Sequence, residues 1–448
     1  GEDAANRLRP GTGDRSFALA DAPFDSVGFD AHQLHCVGTV LIPGLVGPQP
    51  VPIERMWLNI LVDEYSHAIL GYSIAIGTEI TAAHVEQAIK TCSMEWTPRT
   101  PRIAGLKYRD GAGMPVGSIP GLSECRFARL KLDNAVQHFA NRIVQGVRRS
   151  MGCAISWGQV GGWWRNAIVE RMFETLESIG FQRLPSSTGS NALDPLRPDS
   201  VREAIGKQVT WEDLVDLADI LVCNGNATPQ RPLGGQTPLD VLRNHVHAES
   251  RTFVMRPHTP PTAFTPRLGV VSEVIHVRGA IHLGKRPYVE IDKVRFSSAK
   301  LASRFDLVGE VVIVHIDEWD MRSVELFEES GKPIGVLFPL TARWRELPCT
   351  RDLIKAVNYL CADADYDVSE TDDPVNALAL GLMRKASRSA KERPNRVSSD
   401  ATRLAALAFA NDLDLAQITA SSVRAPSTPL SRPLPSSMRA PSWDLPDT

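Results

Sequence analysis

The sequence predicts a mixed α/β sheet, then a small antiparallel β-barrel, then a helical C-terminal region with a disordered tail. Three observations predict this. Apolar strand-like runs give way to strand-helix alternation up to residue 190; short β-rich runs separated by turn residues fill 252–345; and the end of the chain is rich in Pro and Ser. With 448 residues, 43% of them hydrophobic, the chain has room for two or three domains and a sizeable core.

Residues 1–23 carry no core pattern and read as a flexible leader. The chain opens Gly1-Glu2-Asp3 without methionine, and a fragment lacking upstream domains is expected. A first domain spans 24–190. Residues 24–37 read as its first strand, and the runs 57–62 and 68–76, joined by Asp63-Glu-Tyr-Ser-His67, read as a hairpin. Thr81 caps a helix whose apolar positions Val85, Ala88, Ile89 and Cys92 recur at helical spacing. A Pro/Gly-rich insertion, 96–122, reads as an irregular surface excursion. Residues 127–132 form a short strand, 136–151 a helix, 153–157 another strand, and 166–178 a helix. That last helix sets Ile168, Val169, Met172, Phe173 and Leu176 on one face and Glu170, Glu174 and Glu177 on another.

A helical connector covers 191–250. The barrel covers 251–346, with strands expected at 270–277, 280–283, 286–291, 311–316, 324–327 and 334–338, and turns such as Arg278-Gly279 between them. Residues 347–420 form a helical region with acidic and basic linkers, and 421–448 a disordered Pro/Ser-rich tail.

The formal charge of −3 offers nucleic acid no overall attraction, so any such contact must come from local basic surfaces. Seven cysteines scattered singly, without a CxxC pair, suit a reducing compartment. No 18-residue apolar run and no signal peptide is present, so a soluble cytoplasmic protein without membrane contact is expected.

Three carboxylates stand out: Asp30 on the first strand, Asp133 following Leu130-Lys131-Leu132, and Glu170 inside the last helix of the domain. Asp133 lies 103 residues after Asp30, and Glu170 lies 37 after Asp133 (133 − 30 and 170 − 133). Phosphodiester chemistry uses two divalent ions about 3.5–4 Å apart, bridged by hard carboxylate oxygens, and three such groups from distant segments can build that centre. Taken singly, each has an ordinary explanation. Asp30 suits the solvent face of an edge strand, Asp133-Asn134 a helix N-cap, and Glu170 a solvated helix. Asp63, a rival first carboxylate, reads as a turn residue of the hairpin.

Asp30-Ala-His32, Leu61-Val-Asp-Glu-Tyr-Ser-His-Ala-Ile-Leu-Gly-Tyr72, Leu132-Asp-Asn-Ala135 and Asn166-Ala-Ile-Val-Glu-Arg-Met-Phe-Glu-Thr-Leu176 together resemble the integrase catalytic core of DDE transposases, specifically the TnsB/TniA and Mu transposase group. The resemblance covers 24–345. The run Asn224 to Pro238 resembles that group's post-core segment, and the β-rich region its C-terminal barrel.

The resemblance implies a ribonuclease H-like core, with Asp30, Asp133 after the fourth strand, and Glu170 holding two Mg²⁺ ions, for which Mn²⁺ can substitute. It also implies 3′-end cleavage of a transposon followed by strand transfer of the 3′-OH into target DNA. The partners it implies are double-stranded DNA (transposon ends and target), an AAA+ ATPase that selects the target, and further copies of the chain on DNA in a bacterial cytoplasm. A ribonuclease H-fold nuclease without strand transfer and a catalytically inactive DNA-binding scaffold are the alternatives. The sequence departs from the group at His67, where an arginine is usual, and in the length of the 96–122 insertion.

Candidate phosphate contacts are Arg142, Arg148, Arg149, Arg165 and Arg171 in the core and Lys285, Arg286 and Lys293 in the barrel, with Arg384, Lys385, Arg388, Lys391, Arg393 and Arg396 as a basic linker. Trp163-Trp164 suits either base stacking or packing beneath the helix of Glu170. His32, His35 and Cys36 look metal-like, but strand alternation sends His32 and Cys36 one way and His35 the other, which argues against a zinc site. In the tail, Trp443 and Leu445 are candidate anchors for the ATPase.

Overall fold

The structure, a computed structural model, describes residues 20–44, 47–123, 125–132, 146–148, 150–157, 167–189, 199–248, 262–264, 268–346, 348–360 and 373–421. Its first sheet has five strands in the order β5-β4-β1-β6-β7: β1 (Ser26–Gln33), β4 (Met56–Asp63), β5 (Ile69–Ile76), β6 (Arg129–Leu132) and β7 (Ala154–Trp157). β1 is central. It runs antiparallel to β4, which pairs antiparallel with β5, and parallel to β6, which pairs parallel with β7. The expected hairpin is therefore β4 and β5, and the strand expected over 24–37 is shorter at both ends.

Between β1 and β4 the chain makes a separate hairpin, β2 (Thr39–Ile42) with β3 (Gln49–Pro52), which the sequence reading missed. Prolines and glycines flank both halves and conceal the alternation.

Side-chain alternation divides the sheet into two packed faces. Val27, Phe29, Leu61, Leu130 and Leu132 join one cluster with Val85, Ala88 and Ile89 of α1 (Ala82–Thr91). Leu58, Ile60 and Val62 join the other, with Val169, Met172, Phe173 and Leu176 of α2 (Ala167–Ile179). The second face also receives α4 (Trp211–Asn226), which follows α3 (Ser200–Lys207) and precedes α5 (Pro238–His247). Thr210 and Asp213 cap α4 reciprocally, and Thr237 and Asp240 do the same for α5, whose Pro238 sits where a missing N–H costs nothing.

α1 crosses the edge strand closely. A Cβ on Gly71 would lie 2.5 Å from the carbonyl oxygen of Ala88, so only glycine fits there. At the same crossing Thr91 Oγ1 accepts the Tyr72 N–H at 2.9 Å and donates to the Tyr72 carbonyl at 3.0 Å.

Apart from a four-residue helical turn at Pro115–Ser118, the 96–122 insertion is irregular, and it is anchored rather than loose. Asp219, 1% exposed on α4, accepts hydrogen bonds from Tyr72 and Tyr108 hydroxyls and, at 3.3 Å, from Trp96 Nε1. Arg99 pairs with Asp216 at 3.2 Å. An aromatic and acidic clamp thus holds the segment against the edge of the sheet.

The β-rich region forms an antiparallel sheet of seven strands in the order β8-β12-β13-β14-β11-β10-β9: β8 (Val270–His276), β9 (Arg278–Ala280), β10 (Lys285–Ile291), β11 (Val294–Ser297), β12 (Val311–Asp317), β13 (Val324–Glu328) and β14 (Pro333–Pro339). Its two outermost strands are successive parts of one segment broken at Val277, so the sheet curls as a half-barrel. Arg278-Gly279, expected as a turn, lies in β9. β11 was not expected; it follows β10 through Asp292 and Lys293, both at positive φ (47° and 64°), the backbone a two-residue hairpin needs.

After a short helical segment at Ala342–Glu346, the described residues form four further helices: α6 (Arg351–Leu360), α7 (Pro374–Glu392), α8 (Ser399–Asn411) and α9 (Leu415–Ser421). Arg351 at the head of α6 contacts Glu273 at 2.6 Å, Asp292 at 2.7 Å and Glu318 at 3.5 Å. α8 packs on β2, β3 and β5, and Glu54 N–H donates to Thr402 Oγ1 at 2.9 Å. The basic run begins on α7, which extends to Glu392, so Arg384, Arg388 and Lys391 ride one helical face instead of a linker. Among the described residues no helix is long and apolar enough to cross a membrane.

Candidate active site

Gly28, Asp30 and His32 share the face of β1 covered by α2. A Cβ on Gly28 would lie 2.8 Å from Val169 Cγ2, and His32 stacks on Phe173 with ring centroids 4.9 Å apart, so α2 touches the strand on both sides of Asp30. Asp30 is half-buried, and its Oδ1 accepts the Ala31 N–H at 2.8 Å. Glu170, next to Val169 in the first turn of α2, is also half-buried.

β1 pairs with β6 in the register Ser26 with Arg129, Val27 with Leu130 and Gly28 with Lys131. Each pair is 103 residues apart in the chain, the separation of Asp30 from Asp133 (131 − 28 and 133 − 30). β6 ends at Leu132; Asp133 itself lies outside the described residues. On the same face Lys131 Nζ binds Glu64 at 2.7 Å, and Glu64 Oε1 would lie 3.9 Å from a Cβ on Gly28. A partly buried cation-carboxylate pair thus lies beside Gly28, two residues before Asp30 on the same face of β1.

Asp63, expected as a turn residue, is the buried last residue of β4, just before the hairpin turn. Fully enclosed, it accepts Phe24 N–H and Ser66 N–H, each at 2.8 Å, and the Ser66 hydroxyl at 2.6 Å. Burial pushes its carboxyl up to about 6 against those three donors. His67 takes a left-handed backbone (φ 57°), and its Nδ1 lies 2.9 Å from Gln230 Oε1, so the position that departs from the expected arginine joins the hairpin to the segment after α4.

Of the basic candidates, Arg148, Arg171, Lys285, Arg286 and Lys293 are exposed; Lys285 and Arg286 begin β10, Lys293 lies in the turn after it, and Arg171 is on α2. Arg142, Arg149, Arg165, Trp163, Trp164, Trp443 and Leu445 lie outside the described residues. Arg384, Arg388 and Lys391 line a cavity with Ile42, Pro43 and Met383.

Two readings of the sequence require correction. Glu177 does not share a solvent face with Glu170 and Glu174: it is 3% exposed and lies against His32 and His35. Its spacing four residues after Phe173 was the available signal, because that places it on the buried stripe of α2. His35 does not point away from His32 either. β1 ends at Gln33, strand alternation ends with it, and the two imidazoles meet edge to face with centroids 5.0 Å apart.

No family model matches this chain, and no curated protein matches it.

Proposed function

We propose that this chain is the catalytic core and β-rich domain of a DDE-type DNA transposase of the TnsB/TniA and Mu group, with a ribonuclease H-like first sheet. One observation carries the reading: β1 and β6 pair at the same chain offset that separates Asp30 from Asp133, while the Asp30 face of β1 lies under the helix that bears Glu170. The order of strands supports it as well. Among the five strands of that sheet β6 is the fourth in the chain, and the second carboxylate follows it, as the resemblance implies.

Asp30, Asp133 and Glu170 offer only carboxylate oxygens, and Asp30 and Glu170 are half-exposed, a donor set that fits hard divalent cations. Mg²⁺, or Mn²⁺ in its place, would be held by these three residues and would supply activation of the attacking oxygen and stabilisation of the leaving one. The chain itself contributes alignment. Phe173 and Val169 fix α2 against β1, on the strand face that carries Asp30.

In this reading the substrates are double-stranded transposon ends and target DNA, and the active form is an oligomer on DNA working with an AAA+ ATPase. Exposed Arg148, Arg171, Lys285 and Arg286 are candidates for phosphate contact.

A strand-transfer assay with pre-cleaved ends and Mg²⁺ or Mn²⁺ tests the proposal. Asp30→Asn, Asp133→Asn and Glu170→Gln should each lower joining by about 100-fold or more. Hydrolysis without joining would favour the nuclease alternative, and DNA binding without either reaction the inactive scaffold. Full activity in Asp133→Asn would remove that residue from the site.

A further inference from the structure

We propose a second metal centre, built from His32, His35 and Glu177, that takes a zinc-type divalent transition ion and fastens the C-terminal half of α2 to the end of β1. It uses none of the carboxylates of the proposed active site and does not depend on the transposase reading.

One ligand atom from each of the three residues lies within 4.8 Å of the others. His32 Nε2 is 3.1 Å from Glu177 Oε1, and His35 Nδ1 is 3.8 Å from Glu177 Oε2. Tetrahedral zinc, with bonds of about 2.0–2.2 Å, separates its ligand atoms by roughly 3.4 Å, a value between these two distances. Small side-chain rotations would close the set.

The buried polar atoms point to a ligand. Glu177 is 3% exposed, yet its Oε2 has no hydrogen-bond partner, and neither does the buried Nδ1 of His35 that faces it across 3.8 Å. Native proteins rarely leave two such atoms facing each other unsatisfied, because each loses its hydration without return. The separation is too long for a hydrogen bond between them and is suited to a cation bridging them. The other carboxylate oxygen is already engaged, accepting the His35 N–H at 3.0 Å, which orients the carboxylate. Stacking on Phe173 similarly fixes the His32 ring.

Donor chemistry selects the ion. Two imidazoles and one carboxylate favour zinc and its neighbours over Mg²⁺, whereas the all-oxygen set at Asp30 has the opposite preference. The side chains of His32 and His35 are 26% and 38% exposed, which leaves a solvent-facing side for entry and for a fourth ligand. Glu177 follows Glu170 by seven residues, about 10 Å along the helix, so the ion would be a separate centre. Its effect on the active site would be positional: it would tie the strand of Asp30 to the helix of Glu170.

The test is a Zn²⁺ titration of the chelator-treated full chain carrying Asp30→Asn, followed by calorimetry and melting temperature, with Co²⁺ absorption as a second probe of geometry. One ion per chain, a raised melting temperature and a tetrahedral Co²⁺ spectrum are expected. His35→Gln and His32→Gln should each weaken Zn²⁺ binding by at least about 10-fold, and Glu177→Gln likewise. His35→Gln, at the most exposed of the three positions, keeps the test valid if Glu177→Gln fails to fold. Absence of Zn²⁺ binding in the parent, or affinity unchanged in folded His35→Gln and His32→Gln chains, would overturn the proposal.

Discussion

Asn226 binds both backbone groups of Ile69: its Oδ1 accepts the Ile69 N–H at 2.8 Å, and its Nδ2 donates to the Ile69 carbonyl at 2.9 Å. The same Nδ2 donates to the Gly113 carbonyl at 3.1 Å, so one enclosed amide joins α4, the start of β5 and the insertion. Only a side chain with a donor and an acceptor on one planar group can do this. Asn226→Ala should therefore cost about 2–4 kcal/mol in urea denaturation, and Asn226→Asp at least as much, because two carbonyls would then face a carboxylate.

Gly28 sets the distance between β1 and α2. Its missing Cβ leaves room for Val169, so Gly28→Ala should displace the helix and cost about 1–3 kcal/mol of stability. In the proposed strand-transfer reaction the rate should fall by roughly 10- to 100-fold, since small misplacements of reacting groups are expensive. Adding Val169→Ala should restore part of both losses; a double variant no better than the single one would show that steric contact is not the cause.

Two titrations should act in opposite directions. Burial raises Asp63 to about 6, so between about pH 4 and 6 the folded chain holds a proton the unfolded chain has released, and stability from this group falls as pH rises. Burial lowers His84 to about 4, leaving its Nδ1 unprotonated to accept the Thr81 N–H at 3.1 Å. Between about pH 6.5 and 4 the unfolded chain gains the proton first, so stability from this group is lost as pH falls. Denaturation midpoints from pH 4 to 7 should show Asp63→Asn removing the first slope and His84→Gln the second. A profile unchanged by either substitution would refute the assignment.

Asp219 should govern the insertion. Asp219→Ala leaves two tyrosine hydroxyls and an indole N–H without their acceptor and should destabilise the chain by about 3 kcal/mol or more. Limited trypsin digestion should then cut earlier at Arg99, Arg102, Lys107 and Arg109. Tyr108→Phe, which removes one donor, should have a smaller effect in the same direction.

Elements whose apolar period is uninterrupted were legible from residue order: β4 and β5, the helix after Thr81, the helix bearing Glu170, and most strands of the β-rich region. The β2–β3 hairpin was not, because Pro50 and Pro52 lie inside its second strand and glycine-rich chain joins the two halves. β11 is only Val-Arg-Phe-Ser, and the two turn residues before it are Asp292 and Lys293, with none of the glycine that usually marks such a turn. The elements that carry Asp30 and Glu170, a strand and a helix, were legible from residue order. Glu177 was misjudged because a carboxylate on a helix is normally solvated, and its burial depends on two histidines more than 140 residues away. Its spacing from Phe173 marked the buried stripe, but the two histidines that partner it leave no mark in local periodicity.

The crossing of α1 over β5 has a consequence for self-association. β5 is an outermost strand, and a strand in that position ordinarily presents unsatisfied main-chain groups to any other chain able to add alongside. Here Thr91 occupies those of Tyr72, an amide occupies those of Ile69, and Gly71 lets a helix lie against the gap. Intermolecular strand addition along this margin would first have to strip away two side chains and a helix, so this border of the sheet is guarded against aggregation.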